Sequence, residues 1–560
     1  MTLVRLVTVS ATRAGAVRWS IARADDEDPS TDELTQTRGS RRTRLTCETG
    51  SLIDDGWEIP FEAGEATIRC EQAFADGDFT STTATVDDAR AAASDALAGA
   101  MTLEAPDPKV IDLYEGMLIT EWTQTTNDLV SPMSRYTRGW LRDTEGPVRL
   151  WLRAGLHEQA LATIEAVWRA QLAEGGVQNS FALDLDLDAV ELPEDPEEWW
   201  AEAGFMEGLE PTEAPSFPVL LHAQAADWTG ATWDDQRMAF LEACVERQEV
   251  ESGLLRFSGD ETFRYPMASA VGALPEELGW SANSTFLWRA AAATLGMNPG
   301  DVPTDPYWTG TWWAPILDWD GQPLGDPYED VALQVTWWDA GLDTGDIDAH
   351  LDATADALLQ DDGTLSSPLA DGDGLNIATT GMVPGFWLEA VSTRHRPEEQ
   401  TAFDALDLVA TPSGHFEELH GQDHRPLALT HDADGLGADT TARYRPWEGG
   451  DVVAALLDHL LGARPNAAAG TLALAPHLPA GWPSFTAHDL RVGDTRLDVT
   501  VEGWAEGERV RVDGAGALAV TVTLHGARPF SEVWVDGERS DATGSLVTVS
   551  PRREVVGVYE

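Results

Sequence analysis

The chain has 560 residues, more than one simple core needs, so two or three units are expected. It is 43% hydrophobic and 8% aromatic, enough for a buried core and against disorder over its whole length. Its formal net charge is −60 and Lys109 is its sole lysine, which excludes a phosphate backbone or an anionic membrane surface as partner.

An acidic surface almost free of lysine suits concentrated salt. At molar salt the Debye length falls to roughly 3 Å, which screens the self-repulsion, so a halophilic protein is expected. Cys47, Cys70 and Cys244 lack CxxC spacing and read as small buried hydrophobes; spacing gives no argument for a Cys47–Cys70 bridge across two strands. The N-terminus shows no apolar run of signal-peptide length, and no stretch approaches the ~18–20 apolar residues of a membrane helix. A cytoplasmic protein is the expectation.

Residues 1–104 read as β. "TRLTCETG", "ATIRCEQAF" and "FTSTTATV" alternate β-branched and charged residues between Gly and Asp, and "ADDEDPSTDELTQTRGS" reads as an exposed loop. From about 107 the period becomes helical. Val110, Leu113, Tyr114, Met117 and Leu118 form a core-facing stripe, and Leu161, Ile164 and Trp168 another. "NSTFLWRAAAATLG" opens on an Asn/Ser cap and closes on Gly296. "IDAHLDATADALLQ" and "DVVAALLDHLLG" continue the pattern, giving about eleven or twelve helical segments. No fixed-period repeat is visible, which disfavours a solenoid. After "LAPHLPAGWPSF" the period returns to two, with strands in "TRLDVTVEGW", "RVRVDGAGALAVTVTLHG" and "FSEVWVDGE". The predicted fold is mainly α: a helical core over 105–465 with β regions at 1–104 and 466–560, and a closed ring of helical hairpins is one way to bury so many amphipathic helices. Long aromatic-rich loops between the helices would build a cleft at one rim.

Four stretches carry candidate chemistry. "SRYTRGWLRDTEGP" sets Tyr136, Trp140, Arg142 and Asp143 after the first helix; a Trp face packs on sugar C–H groups while Arg and Asp bind hydroxyls. Asp143 as a helix N-cap, with Arg142 on the surface, weighs equally. "LLRFSGDETFRYP" frames Asp260 and Glu261 with Phe257, Phe263 and Tyr265. An apolar surround raises a carboxyl pKa and keeps the proton that a general acid must donate. The competing reading is a solvated turn. "SGHFEELHGQDHRP" holds Glu417, Glu418 and three histidines, but His415 and His420 lack metal-ligand spacing, so neither metal nor other cofactor is expected. A carboxylate poised to activate water, with His415, His420 and Arg425 as donors, fits better. "YRPWEGGDVVAALL" sets Trp447, Glu448 and two glycines before a helix, where packing and sugar binding weigh equally. The 23 tryptophans include three doublets, Trp199–Trp200, Trp312–Trp313 and Trp337–Trp338, several in loops, as carbohydrate platforms are.

The order of "YTRGWLRD", "LLRFSGDETF", "SGHFEELHG", "YRPWEGGDVVAALLDHLLGARP" and "LALAPHLPAGWPSF" resembles that of the glucoamylase-like six-hairpin glycosidases over residues 105–560. The resemblance implies an (α/α)6 barrel over 105–465, behind an N-terminal β-sandwich-like region, 1–104, and ahead of a small C-terminal β module, 466–560, with a general acid after the fifth barrel helix and a general base before the last. Helix counting places Glu261, with Asp260 as its rival, in the first role and Glu418, with Glu417 as its rival, in the second. Tyr136, Trp140, Arg142, Asp143, His415 and Trp447 would line the sugar subsite. Inverting hydrolysis of an oligosaccharide or α-glucan is the implied reaction, with the carboxyls roughly 6.5–9.5 Å apart. A phosphorylase on the same barrel, and a carbohydrate-binding or lyase-type barrel, are the alternatives. The expected partner is a carbohydrate substrate, and the oligomeric state is left open.

Overall fold

The computed structural model describes residues 2–11, 15–20, 34–38, 41–47, 51–53, 56–61, 64–76, 86–130, 138–174, 180–183, 187, 215–246, 248, 250–251, 253–257, 268, 271–328, 341–367, 377–410, 414, 416–421, 445–514, 516–550 and 553–559. The chain forms two compact units, Met1–Ala96 and Leu97–Glu560.

In the first unit, Thr2–Ala11, Gly64–Asp76, Arg41–Cys47 and Leu34–Arg38 pair in that order as one antiparallel sheet. A second sheet joins Gly15–Ser20, Gly56–Phe61 and Ser51–Ile53. Cys47 and Cys70 stand opposite each other in register. Two expectations are corrected here. "LTQTR", expected within a loop, is a strand over Leu34–Arg38. "VDDARAAASDA", expected within a β region, is helix α1, Val86–Ala96; its alanines favour helix and nothing in it alternates.

The second unit opens with α2, Pro108–Thr123, capped by Asp107, whose carboxylate accepts from the Lys109 amide. The predicted stripe Val110, Leu113, Tyr114, Met117 and Leu118 is its buried face. There follow α3 (Glu145–Arg153), α4 (His157–Glu174), α5 (Ser216–Thr229), α6 (Asp235–Glu246), α7 (Ala282–Thr294), α8 (Thr344–Leu358), α9 (Val383–Thr393), α10 (Glu399–Val409) and α11 (Pro446–Leu461). The cap of α7 lies earlier than expected: Ser281 accepts from the Ser284 amide, while Gly296, in the left-handed region, ends the helix as expected.

Inner helices α9, α11, α3, α5 and α7 pack side by side in that order, and the outer helices bridge them: α4 lies on α3 and α5, α6 on α5 and α7, α2 on α11 and α3. Residues 154–156, 230–234 and 394–398 are short turns from inner to outer helices, and turns this short force antiparallel hairpins. The long connections 124–144, 175–215, 247–281, 359–382 and 410–445 each lead into an inner helix. The described ends of these connections that lead into the inner helices therefore lie at one rim, where those helices begin.

The C-terminal part is not a small separate module. Its strands belong to a ten-stranded sheet that also takes in Thr102–Glu104, paired with Ser484–Val492. The strands alternate as predicted: Leu497, Val499 and Val501 of Thr495–Trp504 are buried. Leu456 and Leu460 of α11 share one continuous apolar core with Val499, Val522 and Leu524 of the sheet. The mainly-α expectation thus holds for the barrel region and not for the unit as a whole. Among the described residues, no helix is long and apolar enough to cross a membrane.

Candidate active site

At the rim, two inner helices begin against each other. Gly146 of α3 and Gly450 of α11 meet backbone to backbone; a Cβ on Gly450 would run into the Gly146 carbonyl group. This close crossing sets the residues just before each helix side by side. Asp143 therefore meets Arg445, whose Nη2 lies 2.8 Å from the Asp143 carboxylate. Arg445 Nε lies 2.7 Å from Glu448. Both side chains around the guanidinium are buried, Asp143 at 4% and Glu448 at 1% exposure. The Arg142 guanidinium lies over the Trp447 ring, 4.8 Å from its centroid.

The segment with Glu417 and Glu418 is tied to the same place by main-chain bonds. The Arg445 amide donates to the Phe416 carbonyl at 3.0 Å, and the Gly381 amide to the Glu418 carbonyl at 2.8 Å. Ile377–Thr380 pairs antiparallel with Leu419–Gly421, with Thr380 opposite Leu419. A side chain at Gly381 would collide with the Glu417 carbonyl and crowd the Glu448 side chain. Glu417 is buried, whereas Glu418 is half-buried and faces the Arg445–Glu448 pair electrostatically.

Asp143, Glu448 and Glu418 all act on the Arg445 guanidinium. Burial pushes Glu448 up, Arg445 holds it down, and Asp143 and Glu418 push it up again, leaving it at about 7. Glu121, on the last turn of α2, is wholly buried and neither carboxyl oxygen has a hydrogen-bond partner among the described residues. Burial, with Glu448 nearby, pushes it well above the usual carboxylate range. Burial alone would lower Arg445, but Asp143, Glu448 and Glu418 outweigh it and keep it charged.

Below the rim the same inner helices share a second buried network. Arg149 of α3 reaches Glu389 of α9 at 2.7 Å and Asp451 of α11 at 3.5 Å, and Arg153 clamps Asp458 with bonds of 2.8 and 2.6 Å. This network braces the helices that carry the rim cluster.

The predicted site residues fall into two groups. Arg142, Asp143, Glu417, Glu418 and Trp447 come together, and Trp140 lies on the short strand Gly139–Trp140 just before them. Asp143 is an ion-pair partner of Arg445 rather than an N-cap. Tyr136, Asp260, Glu261 and His415 lie outside the described residues. The strand leading to Asp260 and Glu261 is described. Leu254 is buried with Trp280, Phe286, Tyr307 and Trp313, and Leu419 packs on the same cluster. The glycines of "WEGG" serve packing. Of the loop tryptophans, Trp313 is core and Trp319 is 47% exposed. A cavity of about 610 Å³ between the 311–328 loop and α8 is lined by Trp312, Tyr328 and Asp356, and none of the rim carboxyls borders it.

Arg445 and Glu121 were not singled out from sequence. For Glu121 a signal existed: it continues the apolar stripe four residues after Met117, a core position for a charge. For Arg445 the partners are remote in sequence and no local pattern marks it.

No protein-family model and no curated protein sequence matches the chain. Solved structures do. An α-L-rhamnosidase from Dictyoglumus thermophilum aligns with a TM-score of 0.56 at 8% identity, over 100% of this chain and 62% of its own. The Streptomyces avermitilis α-L-rhamnosidase, solved with L-rhamnose, gives 0.54 at 12% identity over 99% and 52%. A family GH78 rhamnosidase from Bacillus sp. GL1 gives 0.52 at 11% identity over 93% and 53%. The chain thus spans between 52% and 62% of the length of these enzymes. At such identity the likeness is one of fold: this chain shares the architecture of (α/α)6-barrel glycosidases.

Proposed function

We propose that the chain is a glycoside hydrolase acting by inversion, with the 105–465 barrel as its catalytic part. Glu418 is the general base and Glu261 the general acid, with Glu417 and Asp260 as their rivals. The observation that carries this reading is the placement of Glu418. It is the water-accessible carboxylate of the rim cluster, held by main-chain bonds beside Arg445 and Glu448. A carboxylate open to solvent beside a guanidinium is placed to take a proton from an attacking water. A second observation supports the pairing with Glu261: Leu254, seven residues before it in sequence, and Leu419, next to Glu418, pack in one apolar cluster. Trp447, Arg142 and Trp140 are the sugar platform beside it.

Glycosides are the substrate class; L-rhamnosides join α-glucosides in the test panel because the rhamnosidases share this fold. The excess of acidic residues adapts the enzyme to a salt-rich cytoplasm. The test is hydrolysis of this panel in molar salt, with and without phosphate. Glu418→Gln and Glu261→Gln should each lower kcat by about 10²–10⁴ without unfolding the protein. Full activity in Glu418→Gln with loss in Glu417→Gln would move the base by one residue. Turnover only with phosphate would make the enzyme a phosphorylase.

A further inference from the structure

Four of the chain's twelve histidines gather far from the rim, where the barrel meets the C-terminal sheet. They come from unrelated segments: His395 just after α9, His459 on α11, His477 in the following loop, and His525 on the strand Ala519–Val535. Glu399, the first residue of α10, joins them. His477 Nε2 lies 3.4 Å from His395 Nδ1 and 3.5 Å from the Glu399 carboxylate. One ligand atom each from His395, His477 and His525 fall within 4.8 Å of one another.

Hydrogen bonding fixes the key tautomer. His477 Nδ1 lies 3.0 Å from the His459 carbonyl oxygen, which can only accept. The proton of the neutral ring therefore sits on Nδ1, and Nε2 presents a lone pair toward His395 and Glu399. His459 Nδ1 is in turn 2.8 Å from Ser392 Oγ. His525 Nε2 is buried without a hydrogen-bond partner among the described residues. The backbone points the same way. His395 adopts φ 54 at the end of α9, a left-handed position where Gly or Asn costs less, and its ring is brought to His477.

We propose that His395, His477 and His525 bind one divalent transition metal ion of the zinc type, with Glu399 beside His477 able to close the fourth position. Zn–N bonds of about 2.0–2.1 Å in a tetrahedron put ligand atoms roughly 3.3 Å apart, close to the two short separations here. Neutral imidazoles select zinc, cobalt, nickel or copper over magnesium and calcium. The role is structural: the ion pins the α9–α10 hairpin to the C-terminal sheet, with a half-exposed or exposed edge at His395 for entry. The ligands share no local spacing, so no metal motif is visible in the sequence.

The test is titration of the chelator-treated full-length protein with Co²⁺ and Zn²⁺ in molar KCl with excess Mg²⁺, which suppresses loose binding to surface carboxylates. One equivalent should bind with micromolar affinity or better, give the intense visible bands of four-coordinate cobalt, and raise the melting temperature. His395→Asn keeps the left-handed backbone and should weaken binding about 100-fold or more. His488→Asn, a histidine beside Glu104 and Asp498 outside the cluster, should change nothing. Absence of saturable binding, or binding unaltered by both His395→Asn and His525→Gln, would overturn the site.

Discussion

Arg445→Met is the most informative single perturbation of the rim. The guanidinium side chain is 5% exposed and pairs with Asp143 at 2.8 Å and Glu448 at 2.7 Å. Removing one partner of a buried pair costs about 3–5 kcal/mol, because the charge left behind is neither hydrated nor paired. Methionine keeps the volume, so no cavity term is added. Part of the cost is avoidable. Glu448 already sits at about 7 and can take a proton. The loss of stability should therefore be about 3–5 kcal/mol near pH 8 and shrink toward pH 5, where Glu448 is protonated. Urea melts in molar salt, followed by tryptophan fluorescence at both pH values, measure it. A loss under about 1 kcal/mol, or one independent of pH, would refute the pairing as drawn.

Other consequences are equally concrete. Gly450→Ala drives a methyl into the Gly146 main chain and should cost about 1–3 kcal/mol and lower activity, since it parts Asp143 from Arg445; thermal melts and kcat check both. Glu508 is raised by burial to about 7, against bonds from His525 and Tyr559. A carboxyl raised in the fold contributes stability below its unfolded value, 4.5, and loses it as pH rises toward 7, so Glu508→Gln should gain about 1–2 kcal/mol on wild type near pH 8 and nothing near pH 4. With a net charge of −60, the circular dichroism of the helices should fade as salt drops from molar to dilute buffer; an unchanged spectrum would contradict the halophilic reading.

Periodic burial was legible because it is local. The stripe from Val110 to Leu118 and the alternation in Thr495–Trp504 each follow from one segment's own pattern. The same pattern misled where a short strand or helix drew on distant partners: Thr102–Glu104 lies in the C-terminal sheet because Ser484–Val492 offers it an edge. Asp143 could be weighed only as cap or sugar ligand, since Arg445 approaches it through the Gly146–Gly450 crossing. "FEELHG" was marked by its composition, but its position beside Arg445 depends on the Phe416 and Glu418 main-chain bonds. The histidine cluster was invisible for the same reason, its members converging only when α9, α11 and the sheet pack.

The central claim is hydrolysis with inversion, and the configuration of the first-formed product tests it most directly. Proton NMR of a cleaved glycoside in molar salt, recorded before mutarotation, should show the anomer opposite to that of the substrate, with Glu418→Gln abolishing its appearance. A product that retains the substrate's configuration would contradict the account, because retention requires a covalent intermediate and carboxyls only about 5–5.5 Å apart.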